Sequence, residues 1–184
     1  DGAARGDEDE PGDVEIGPHC QVLHGAVITA EGGPITLGEH VIVMENALIR
    51  ATAANAVHIG DHTLVGTLAS IAGATVGEEV FFASGSRVFN GALVGDRCEV
   101  RVNAIIQRRA VVPEGTVIPI GWIATGDPVQ LFSPDQADEI AAAQPELDFP
   151  GHVFGVDRDT PDLMVQLTER YGSSLARHAH DRRL

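Results

Sequence analysis

The stretch Val76–Ile118, VGEEVFFASGSRVFNGALVGDRCEVRVNAIIQRRAVVPEGTVI, decides the fold. Within it an aliphatic or aromatic residue returns at every sixth position: Val76, Phe82, Val88, Val94, Val100, Ile106, Val112 and Ile118. Ala124 continues the spacing, and upstream the same step links Ile16, Val22 and Ile28, then Leu37, Val43 and Ile49, then Ile59, Val65 and Ile71. The breaks fall at Ala30 to Ile35, at Ala51 to Val57, and at a single five-residue step from Ile71 to Val76. Four positions after each of these residues the side chain is small or compact, as at Cys20, Ala26, Ala47, Thr63, Ala69, Ser86, Ala92, Cys98, Ala104 and Ala110; Trp122, near the end, is the exception. An aliphatic every six with a small residue four later is the pattern of a parallel β-helix, an all-β solenoid in which three short strands make one triangular coil. Strands of an ordinary sandwich would be spaced irregularly.

Working outward from that stretch, the chain has 184 residues, 43% of them apolar and only 4% aromatic, with a formal charge of −15. No apolar run approaches the roughly 20 residues of a spanning helix, and Asp1 opens an acidic, glycine-rich segment, so neither a membrane span nor a signal peptide is expected. Net negative charge disfavours a nucleic-acid partner. Every basic residue is arginine, which excludes Schiff-base chemistry and a P-loop lysine.

Three segments are expected: residues 1–13 as an acidic, disordered start, 14–128 as the β-helix, and 129–184 as a helical extension. Ser133-Pro134-Asp135-Gln136 has the form of an N-cap, a first-turn proline and a capping-box glutamine, opening a short helix that Pro145 ends. Thr160-Pro161-Asp162 opens another, in which Leu163, Leu167, Tyr171 and Leu175 form an apolar stripe suited to the outside of the coil stack or to a neighbouring subunit. Cys20 and Cys98 occupy the same corner four coils apart, roughly 19 Å at the usual strand spacing, too far for a disulfide. Reduced cysteines and the lack of an export segment suggest the cytoplasm.

Several stretches resemble the gamma-class carbonic anhydrases: Val22-Leu23-His24-Gly25-Ala26-Val27-Ile28, Gly33-Pro34-Ile35-Thr36-Leu37-Gly38-Glu39, Glu45-Asn46-Ala47-Leu48-Ile49, Ile59-Gly60-Asp61 and Asn90-Gly91-Ala92-Leu93-Val94-Gly95-Asp96. The resemblance covers residues 14 to 128, insertion sites and five-residue step included. It implies a left-handed parallel β-helix, a homotrimer with sites in the clefts between subunits, and a C-terminal helix packed outside. It also implies a zinc-bound hydroxide held by three histidines from two subunits. Carried over position by position, those histidines fall at Arg50, Thr67 and Ala72, so the whole metal site is replaced. An arginine and an aspartate of the family are matched by Thr29 and Glu31, and a glutamine by Met44. The expectation is a carbonic-anhydrase-like pseudoenzyme, without metal or cofactor.

Aligned by coil, the residues two after the column on the second strands run His24, Glu45, Thr67, Ser84, Val102; those one after it on the third strands run Thr29, Arg50, Ala72, Phe89, Gln107. In the family these tracks face each other across a subunit boundary, which would line a pocket with His24, Glu45, Arg50, Thr67 and Ser84 over a floor of Phe89 and Asn90. Arg50 there suits a small anion or metabolite; alternatively it pairs with Glu45, or with an acidic group across the interface, and only fixes the trimer. On the first strands His19, His40 and His62 form a column continued by Glu79 and Arg97, read as an exposed ladder at a polar turn rather than a metal site. Two other function classes stay open: an acyltransferase using acyl-CoA with His24 as base, against which stand the missing external loop and lysines, and a scaffolding trimer with a protein partner.

Overall fold

Each hexad holds too few residues to bury a face of its own, so the coils must stack. In a computed structural model, which describes residues 12–143, 151 and 155–175, they do so as three parallel sheets. Numbering strands in chain order, the first sheet contains β1 (Val14–Ile16), β4 (Ile35–Leu37), β7 (Val57–Ile59), β10 (Thr75–Val76), β13 (Leu93–Val94) and β16 (Val111–Val112). The second contains β2 (Gln21–Val22), β5 (Ile42–Val43), β8 (Leu64–Val65), β11 (Phe81–Phe82), β14 (Glu99–Val100) and β17 (Val117–Ile118). The third contains β3 (Val27–Glu31), β6 (Leu48–Thr52), β9 (Ser70–Ala72), β12 (Arg87–Val88), β15 (Ile105–Ile106), β18 (Ile123–Thr125) and β19 (Gln130–Phe132). The architecture is the left-handed parallel β-helix of hexapeptide-repeat proteins, about six turns long.

The hexad residues are the interior. Val43, Ile49, Ile59, Val65, Ile71, Val76, Phe82, Val100, Ile106 and Ile118 are fully buried, and the small residues Ala47, Ala69, Ala92, Cys98, Ala104 and Ala110 are buried with them. Ile16 and Val22 remain exposed because their coil opens the stack and no described coil lies above it. Trp122 is half-buried against the core in the last coil.

The coil corners explain the turn residues. Between the second and third sheets the chain passes through left-handed backbone at Gly25, Asn46, Leu68, Gly85, Asn103 and Gly121; between the first and second it does so at His19, His40, His62, Glu79, Arg97 and Gly115. Glycine needs no compensation there, and asparagine tolerates the conformation well. From the second coil onward each of these corner amides donates to a carbonyl of the preceding coil, as in Leu68 N–H to Glu45 O at 3.1 Å and Gly85 N–H to Thr67 O at 3.0 Å.

The two insertions lengthen β3 and β6 to five residues, paired along their whole length from Val27↔Leu48 to Glu31↔Thr52. After β6, reciprocal Thr52 and Asn55 hydrogen bonds close the loop. The five-residue step turns at Gly73, where φ is 49°.

Two features differ from the sequence reading. First, β19 follows the cis Asp127–Pro128 bond and pairs antiparallel with β18, in a stretch read from the sequence as helical extension. Second, the helix α1 covers Ala137–Ala142 and so starts later than the cap at Ser133 predicts. Ser133 and Gln136 bond reciprocally, Ser133 N–H to Gln136 Oε1 at 2.9 Å and Gln136 N–H to Ser133 O at 3.0 Å, but they close a turn that leaves Gln136 non-helical. The chain forms two compact units, residues 1–143 and 144–184. In the second, α2 spans Leu163–Leu175 as expected; Leu167 is buried, whereas Tyr171, Met164 and Val165 are exposed. The expected helix stop at Pro145, the acidic stretch before Gly12, and His152, His178 and His180 lie outside the described residues.

Candidate functional site

Both side-chain tracks stack as their register predicts. On the third sheet Thr29, Arg50 and Ala72 are direct partners in successive coils. Phe89 comes next, since Ile71 pairs with Val88, and its amide donates to Ile106 O at 3.0 Å. On the second track the carbonyls of His24, Glu45, Thr67, Ser84 and Val102 each accept the corner amide of the coil that follows. Within one chain the tracks lie at opposite ends of the third sheet: Thr67 precedes β9 and Ala72 ends it, roughly 10 Å or more apart at strand rise. No single copy therefore assembles His24, Glu45, Thr67 and Ser84 with Arg50, Phe89 and Asn90.

Arg50 has a partner that sequence reasoning did not assign to it. Its Nη2 donates to both carboxylate oxygens of Glu31 at 2.9 and 2.8 Å, with side chains 39% and 30% exposed. The sequence reading offered Glu45 or an acidic group across an interface; Glu45 instead accepts Thr67 Oγ1 at 3.3 Å. The insertion after Ala30 is the signal that could have found Glu31. It extends β3 by the two residues that carry Glu31 past Thr29, onto the same face as Arg50 of the next coil.

The donor set at Arg50, Thr67 and Ala72 does not fit a zinc ion. Arginine keeps its proton, a neutral threonine hydroxyl is a poor ligand, and alanine offers no donor. Among the described residues no group of three or more histidine, cysteine, aspartate or glutamate side chains is arranged to hold a metal.

The histidine column is a ladder. His19 and His40 stack with ring centroids 4.7 Å apart and planes 20° from parallel; His40 and His62 follow at 5.0 Å and 10°. Nitrogen lone pairs lie in the ring planes, so face-to-face rings aim them outward rather than at a shared ion. Around the ladder stand Glu39, 3.9 Å from His62 Nε2, and Asp61, whose Oδ1 accepts the Glu39 amide at 2.8 Å. Below it Arg97 pairs with Glu114. Cys20 and Cys98 are both free thiols; burial pushes the Cys98 thiol up from its ordinary value.

Comparison with known proteins agrees with the residue-level resemblance. No protein-family model matches the chain. Gamma carbonic anhydrase 1, mitochondrial, of Arabidopsis thaliana is 27% identical over 136 residues, covering 71% of this chain and 47% of that protein. Gamma carbonic anhydrase 2, mitochondrial, of the same plant is 27% identical over 135 residues, covering 70% and 46%. The chain thus spans about half the length of the curated relatives it matches. Among solved structures, a hexapeptide transferase family protein from Anaplasma phagocytophilum aligns with a TM-score of 0.44 at 19% identity over 88% of this chain and 82% of that one. A UDP-N-acetylglucosamine O-acyltransferase from Moraxella catarrhalis aligns at 0.44 and 17% over 90% and 76%. The chain is a hexapeptide-repeat β-helix protein whose sequence is similar to that of the gamma-class carbonic anhydrases.

Proposed function

We propose that the chain is a carbonic-anhydrase-like homotrimer of the gamma type that carries no catalytic zinc and serves as a structural or scaffolding member of that group. The observation that carries the reading is the joint replacement of the three ligand positions by Arg50, Thr67 and Ala72, with Arg50 tied to Glu31 of its own chain. A guanidinium fixed beside the cleft supplies a positive charge where a cation would sit, and its carboxylate partner already neutralises it. A small anion or metabolite would meet that carboxylate beside Arg50, so the ion pair favours a fixed structural role over a ligand pocket. The acyltransferase alternative would rest on His24, whose exposed side chain meets no acidic or hydrogen-bonding partner among the described residues through which to act as a base. Two free thiols suit a reducing compartment such as the cytoplasm.

The experiment is metal analysis of the purified assembly together with stopped-flow CO2 hydration, before and after incubation with zinc. The expected result is substoichiometric zinc and no hydration above the uncatalysed rate. Stoichiometric zinc with rapid hydration would refute the proposal.

A further inference from the structure

Leu68 breaks the rule of its own corner. The equivalent positions of the other coils are Gly25, Asn46, Gly85, Asn103 and Gly121, residues at ease in left-handed backbone. Leu68 adopts φ 61° and leaves its side chain 62% exposed. The corner is not loose, because the Leu68 amide is held by Glu45 O. A strained backbone combined with an uncovered aliphatic side chain is doubly unfavourable in an isolated chain, so a compensating contact is called for.

The distribution of charge says what can make that contact. The corner between the first and second sheets collects Glu39, Asp61, Glu78, Glu79, Asp96 and Glu114 against the single guanidinium of Arg97. Along the Leu68 corner stand His24, Glu45, Thr67, Ser84, Arg101, Val102 and Ile120, so that its one carboxylate is balanced by one arginine. In a chain of net charge −15, a second copy is repelled from the first edge and can approach the second. On the other track, Ala72 is half-exposed and short, and Phe89 beside it is 38% exposed, which together make a shallow apolar seat.

We propose that Leu68 of one copy seats against Ala72 and Phe89 of the next, as an apolar plug in the cleft between copies. The inference rests on the homotrimer reading above and adds what fills its cleft. Thr67 directly precedes Leu68, so the position that lost an imidazole and the position that gained an aliphatic side chain are neighbours. Polar coordination at that point would be replaced by burial.

The test compares the wild-type chain with Leu68→Gly and Leu68→Asn by light scattering and sedimentation across a dilution series. Cys20→Val and Cys98→Val form the background for a cysteine pair at Leu68 and Ala72. Glycine and asparagine both suit the corner, so each variant should fold at least as well as the parent. The expected result is a wild-type trimer, dissociation of both variants at a concentration at least about tenfold higher, and disulfide-linked copies from the cysteine pair. A wild-type trimer whose Leu68→Gly variant dissociates at the same or a lower concentration, with no cross-link, overturns the plug and leaves the homotrimer standing. That includes the case in which Leu68 serves a different protein. A wild-type monomer at every concentration overturns both.

Discussion

Phe81 and Phe82 are consecutive and chemically identical, yet they should respond very differently to truncation. Phe82 is fully buried in the prism, between Val65 of one neighbouring coil and Val100 of the other. Removing its ring opens a cavity that stiff aliphatic neighbours cannot fill, so Phe82→Ala should cost about 3–5 kcal/mol. Phe81 points outward and is 43% exposed. With about half of its burial at stake and no closed cavity formed, Phe81→Ala should cost about 1–1.5 kcal/mol. The gap is therefore roughly 1.5–4 kcal/mol. Urea unfolding at one protein concentration would measure it, followed by far-ultraviolet circular dichroism and by the fluorescence of Trp122, the chain's one tryptophan. Trp122 lies in the last coil and reports that end of the stack, whereas dichroism reports all of it. Equal losses, or a larger loss for Phe81, would refute the reasoning. A strand slipped by one residue exchanges its two faces. The same slip would carry Arg50 and Ala72 off the outer track, so this measurement also guards the reading of the site.

Two further outcomes follow from side-chain environments. Thiol labelling of the native chain should modify half-buried Cys20 well before Cys98, which is 1% exposed and whose thiol burial keeps protonated; simultaneous labelling would contradict the corner assignment. Because the folded state holds that proton beyond the ordinary thiol value while the unfolded state loses it, the Cys98 contribution to stability is present below that range and falls as pH rises through it, a trend that Cys98→Val should remove. A double-mutant cycle on Arg50→Gln and Glu31→Gln should give a coupling of only about 0.5 kcal/mol in dilute solution, since both side chains are about a third exposed and screened by water. A coupling near zero would remove the pair from the account, and phosphate or bicarbonate binding by Glu31→Gln alone would show that Glu31 holds Arg50 closed to anions.

The functional proposal rests on Arg50, Thr67 and Ala72, the positions at which the sequence resemblance places three histidine ligands, and that resemblance is legible in the sequence itself. Arginine, threonine and alanine are a donor set unsuited to zinc. The structure pairs Arg50 with Ala72 in successive coils, as the coil register predicts, and adds that Thr67 hydrogen-bonds along its own track to Glu45. The histidine column was equally legible, because a period that stacks Val76 on Val94 also stacks His19 on His40 and His62.

The amino-acid order alone determined the β-helix, its interior columns and its corners, because a repeat of six admits one way for every coil to bury its aliphatic residue against the next. It could not determine which carboxylate Arg50 meets, or that Leu68 is held in left-handed backbone. Both depend on how insertions lengthen strands and on which hydrogen bond closes each corner, and those follow only when neighbouring coils are assembled. Tertiary structure decided them because a side chain on one coil finds its partner on another, about twenty residues away in the chain and one strand spacing away in space.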